Sequence, residues 1–94
     1  MRLSEYQVEA GKHIDRFIFN RALEEDALHG MATELGALNS YYLQNSKEDP
    51  DGLDGLKQDR LGGLLIHISE MCIAHNWSME DIAERSLRRL RMEH

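Results

Sequence analysis

An all-α protein of four helices is what this 94-residue chain predicts, and three observations predict it. Apolar residues recur at steps of three and four along most of its length, the spacing that returns side chains to one helix face. No stretch alternates apolar and polar residues with the period of two that a half-buried strand needs. The only proline, Pro50, falls within "NSKEDPDGLDG", the one cluster of turn formers in the chain.

The elements follow in order. Leu3, Tyr6, Ala10, Ile14 and Phe17 predict a first helix over residues 3–19, with Ser4 and Gln7 spaced as a capping box. Leu28, Met31, Leu35, Leu38 and Tyr42 carry the stripe of a second helix over 22–44. A loop is expected across 45–56, and its "EDPDGLDG" lacks the spacing and terminal glutamate of a calcium loop. Leu61, Leu64, Leu65, Ile68 and Cys72 predict a third helix over 57–75. Ser78, three residues before Asp81, opens a fourth over 78–92 whose apolar face is Met79, Ile82, Ala83, Leu87 and Leu90. Trp77 is placed to staple the corner before it.

Composition narrows the function classes. The chain forms one domain over 1–94, and a domain this small buries only ~60–65% of its unfolded surface, so its core is thin. The apolar residues of the two central helices exceed what two short flanking helices cover, which predicts a homodimer or a dimer of dimers. Net charge is −6 and the pI about 5.3, which argues against nucleic acid or an anionic membrane as partner. One cysteine, Cys72, excludes an internal disulfide and fits a reducing, cytoplasmic compartment. No apolar run nears the ~20 residues of a membrane span, and "MRLSEYQ" lacks the apolar region of a signal peptide.

Two polar strips remain beside the core faces. Gly30, Glu34, Ala37 and Tyr41 share one side of helix 2, and Arg60, Gly63, His67 and Glu70 one side of helix 3. Carboxylates at i,i+3 on each of two facing helices would make a cage of hard oxygen ligands suited to Mg²⁺. Of four such carboxylates this chain supplies one, Glu34.

The order and spacing of these segments resemble the MazG-type nucleotide pyrophosphohydrolases of the all-α NTP pyrophosphohydrolase superfamily, nearly end to end. "LSEYQVEAGKH" resembles the family's opening helix, and "HGMATELGALNSYY" the segment usually reading G-L-x-G-E-x-G-E-V. "DRLGGLLIHISEMCIAHNWSMEDIAERSLRRLRMEH" resembles the stretch beginning E-L-G-D-V-L-W-Y and ending in a helix with N-x-x-K-L. The resemblance implies a four-helix MazG-like bundle, assembly through the long helices, and hydrolysis of the α–β phosphate linkage by Mg²⁺-activated water.

Carried across residue by residue, the family's four ligand positions fall on Glu34, Ala37, Arg60 and Gly63. Only the first is a carboxylate and the third is a cation, which repels a divalent ion in a low-dielectric cleft. The family's phosphate-facing asparagine and lysine fall on Ser86 and Arg89. Gly62 matches its glycine, a position for close helix packing, while Gly63 marks a lost ligand or an enlarged cavity.

Bland roles stand beside each candidate. A lone helix glutamate ordinarily forms a surface ion pair, and Arg60 is available to Glu34. His67 and Glu70, at i,i+3, are candidate replacement ligands, although no HExxH or Cys/His spacing supports them. Tyr41 and Tyr42 suit packing before base stacking, and the arginines at 85, 88, 89 and 91 suit a solvated face near a helix C-terminus. The expectation is a family member that has lost Mg²⁺-dependent hydrolysis, needs no cofactor, and acts as a binding, regulatory or structural oligomer. The alternative is an active pyrophosphohydrolase that binds nucleotide and Mg²⁺ with ligands from Asp59, Glu70, residues 24–26 or a second subunit.

Overall fold

The computed structural model describes residues 1–14, 20–43 and 53–92, with Asn20 and Arg21 as backbone only. It is all-helical over these residues, with α1 at Leu3–Gly11, α2 at Asn20–Leu43, α3 at Asp54–His75 and α4 at Met79–Met92. The expected order of four helices is present. Two boundaries differ. Helix 1 ends at Gly11 rather than residue 19, and Lys12 and His13 turn with N–H groups bonded to the Glu9 and Ala10 carbonyls. A glycine at the end of a helix favours termination, and the apolar period, which Ile14 continues, carries no stop signal. Helix 3 begins at Asp54, so three residues assigned to the loop are helical. Phe17 and Pro50, with the rest of the expected loop to residue 52, lie outside the described residues.

Helices α2 and α3 form an antiparallel hairpin, and α1 and α4 lean on α3 and on each other without packing on α2. Buried apolar side chains are few and mostly small: Leu23, Ala27, Cys72, Ala74 and Met79. They gather where α1 crosses the end of α3 nearest the α3–α4 turn. Gly11 of α1 stands so close to Ile73 that an added Cβ would lie 3.3 Å from its Cδ1. Burial raises the Cys72 thiol pKa above its ordinary value, as expected of an inert core cysteine.

The α3–α4 turn has a clear physical basis. Asn76 adopts left-handed backbone angles, φ 58° and ψ 39°. Its N–H bonds the Ile73 carbonyl at 3.2 Å, and the Trp77 N–H bonds the Cys72 carbonyl at 2.8 Å, closing α3 as a Schellman motif. The Trp77 ring stacks on His75 with centroids 4.0 Å apart, the corner staple expected of it. The Ser78 hydroxyl accepts the Asp81 N–H at 3.3 Å, so the predicted cap of α4 forms.

The expected Ser4–Gln7 capping box does not form; both side chains reach α4 instead. The Ser4 N–H and hydroxyl donate to Glu80 at 3.2 and 2.9 Å, so a carboxylate from α4 caps α1. Gln7 donates to the Trp77 carbonyl at 2.7 Å and accepts the Met79 N–H at 2.9 Å, capping α4 from α1. The two bonds from Ser4, hydroxyl first, hold the Glu80 carboxyl below its ordinary pKa.

Candidate functional site

The two polar strips face one another along the α2–α3 seam. Arg60 Nη1 donates to Glu34 Oε2 at 3.2 Å, and Arg60 Nε donates to the Tyr41 hydroxyl at 3.2 Å. The Glu34 side chain is 17% exposed and that of Arg60 37%, so the pair is covered on one side and open on the other. These bonds, Tyr41's first and Glu34's second, hold the Arg60 pKa above its ordinary value.

Gly63 completes this arrangement from below. A Cβ built there would lie 2.5 Å from Glu34 Cδ and 2.7 Å from its Oε1. The carboxylate therefore rests on bare backbone, in the space that a side chain at 63 would need. Gly63 is neither a void nor an enlarged cavity. Gly62 needs correction as well: a Cβ there meets nothing within 4 Å, so close helix packing belongs to its neighbour. Ala37 is half-buried, its carbonyl accepting the Ser40 hydroxyl at 2.7 Å, and it brings no ligand atom from its side chain.

One turn further along, the same device recurs in the opposite sense. His67 of α3 lies over Gly30 of α2, where an added Cβ would overlap the imidazole. His67 Nδ1 is 3.1 Å from Glu70 Oε1. Glu70 is only 8% exposed. Burial above all raises its pKa, the nearby Asp26 carboxylate adds to the rise, and His67 opposes it. His67 and Glu70 are thus brought together as expected, but as partners of one another and of the α2 backbone. At the far end of the seam, His75 Nε2 lies 2.9 Å from Glu24 Oε1, and at the near end Lys57 sits 4.1 Å over the Tyr42 ring. Reciprocal glycine seats were not foreseen. The signal was Gly30 on the same face as Glu34, four residues apart, opposite a strip with its own glycine.

The family's Mg²⁺ cage does not fit these residues. Of the four matching positions, one carboxylate is present and it is engaged by the cation at another. Its oxygens sit where the ligand at a third would have to stand. Among the described residues, no group of three or more His, Cys, Asp or Glu side chains is arranged to hold a metal ion. Asp59 is exposed on α3, and Glu24 and Asp26 are taken up by His75 and Glu70.

Ser86 and Arg89 lie together on the exposed half of α4, beside Arg85 and Leu90, in an open groove. The Ser86 hydroxyl donates to the Ala83 carbonyl at 2.7 Å. Neither residue approaches the seam. Among the described residues, no helix is long and apolar enough to cross a membrane. No family model, no curated protein and no solved structure matches the chain.

Proposed function

We propose that this chain keeps the helical frame of the MazG-like pyrophosphohydrolases but has lost their Mg²⁺-dependent hydrolysis. It acts as a binding, regulatory or structural oligomer in a cytoplasmic setting. The carrying observation is the Glu34–Arg60 pair seated on Gly63. Metal-assisted hydrolysis needs a bound ion with an open coordination position, and here a guanidinium neutralises the only matching carboxylate. The lone buried thiol and the excess of acids support the cytoplasmic setting and argue against nucleic acid as partner.

The test is pyrophosphate release from the common ribo- and deoxyribonucleoside triphosphates with Mg²⁺ and with Mn²⁺. The expected result is no turnover above buffer. Turnover that disappears in Glu34→Ala would overturn the reading and establish an active pyrophosphohydrolase using other carboxylates. The triple change Ala37→Glu, Arg60→Glu, Gly63→Asp restores the family's donor set. Gain of hydrolysis in it supports a surviving scaffold.

A further inference from the structure

The two long helices carry a second pattern on the side away from their polar seam. Leu28, Leu35 and Tyr42 stand seven apart on α2, with Met31 and Leu38 between them, the 3–4 spacing of a heptad seam. On α3, Leu61, Leu64 and Ile68 repeat the same spacing, with Leu65 beside them. The contacts between Lys57 and Tyr42 and between His75 and Glu24 bracket both stripes, which places them on one broad face of the hairpin.

That face is bare. Leu28 is 57% exposed, Leu35 58%, Tyr42 60% and Leu61 52%, with Leu65 and Ile68 also exposed. Neither α1 nor α4 packs on α2. A face of two helices about 33 Å long and ~20 Å wide matches the ~800 Å² that each partner of a stable dimer buries.

We infer that a second copy of this chain covers this face, the two hairpins joining through their heptad stripes into a four-helix bundle. The inference rests on the reading that the protein acts as an oligomer, and it names the partner and the surface. Three observations select a second copy over another partner. The accessible surface of 7478 Å² exceeds the roughly 5600 Å² of a compact monomer of 10.9 kDa. The molecule is a slab of 45 × 41 × 23 Å with a radius of gyration of 15.7 Å, against about 12 Å for a globular domain of this length. Its five buried apolar residues are too few to hold a lone protomer, so the covering partner must be present wherever the chain folds. Only a second copy meets that condition by itself. A heptad face is self-complementary, as a two-fold interface requires.

Sedimentation equilibrium across micromolar concentrations, with thermal unfolding at the same concentrations, tests this. The wild type is expected at twice the 10.9 kDa protomer mass, with a midpoint that rises with concentration. The pair Leu35→Ala and Leu65→Ala, which trims exposed side chains and leaves the seam intact, should raise the dimer dissociation constant at least tenfold. The pair Leu87→Ala and Leu90→Ala, equally apolar and exposed but on α4, should leave it within about twofold. A wild type at protomer mass with a concentration-independent midpoint overturns the inference. So does a dissociation constant unmoved by the hairpin pair, or moved as far by the α4 pair. Nucleotide turnover would instead overturn the loss of hydrolysis and leave the dimer standing.

Discussion

Glu34 lying across Gly63 makes the two positions energetically dependent on each other. A helix-interior glycine costs about 1 kcal/mol relative to alanine. At Gly36 and Gly62, where a Cβ meets nothing within 4 Å, substitution by alanine should recover up to that amount. Gly63→Ala should recover less, because its methyl group must push the Glu34 carboxylate away from Arg60. In a Glu34→Ala background the obstacle is gone, and Gly63→Ala should regain the full ~1 kcal/mol. Urea unfolding of the four proteins measures the cycle, and equal gains in both backgrounds would contradict the seat. Glu70 offers a pH test. Its folded pKa is raised, so the folded state holds a proton that the unfolded state releases. The stabilising contribution is therefore complete at low pH and is lost as pH rises from the ordinary carboxylate value through the raised one. Glu70→Gln keeps the acceptor for His67 and removes this loss. Its stability relative to wild type should increase between pH 4 and pH 7, and a constant difference would contradict the burial argument. The Glu34–Arg60 pairing was legible from charge alone, since the two strips had to meet. The role of Gly63 was not, because it depends on the separation of the helix axes, which no local pattern encodes.

Between elements, α1 and α4 cap one another through Glu80 on Ser4 and Gln7 on Met79. Losing a cap costs ~0.5–2 kcal/mol, and Gln7 makes two of these bonds while tying α1 to the α3–α4 turn. Gln7→Ala should therefore destabilise by roughly 1–2 kcal/mol. Ser4→Ala, adding its own cost, should cost less in the Gln7→Ala background, because both ties serve the same docking. Strict additivity in denaturant unfolding would show the two caps to be independent. The Ser78 cap was legible because its partner lies three residues on, whereas Ser4 and Gln7 meet partners more than 70 residues away and look locally like a capping box. The end of α1 escaped for a related reason. The apolar period continues past Gly11 through Ile14, and only the terminating glycine marks the turn.

Over the whole molecule, the fold class and the order of helices were legible because period and turn formers are local. The exposed hairpin face shows that the same stripes serve two surfaces, one inside the protomer and one outside it. The molecular scale also carries the prediction that separates a spent nucleotide site from a working one. A ligand that binds only the folded state stabilises it by about 2.7 kcal/mol at one hundred times its dissociation constant. For a chain of this length that corresponds to a midpoint shift of roughly 10–20 °C. With Glu34 neutralised by Arg60 and its oxygens lying over Gly63, Mg²⁺ has no second carboxylate to join it at the matching positions. Millimolar Mg²⁺ with millimolar nucleoside triphosphate should then leave the midpoint within about 1 °C of the Mg²⁺-free value, too small for saturating binding. Protomer concentration must be equal in both arms, because self-association moves the midpoint independently. A shift of several degrees that needs both metal and nucleotide, and that Glu34→Ala abolishes, would restore the seam as a nucleotide site. A shift from nucleotide alone that survives Glu34→Ala but is lost in Arg89→Ala would place binding on α4, where Ser86 and Arg89 share an open groove far from the vanished cage.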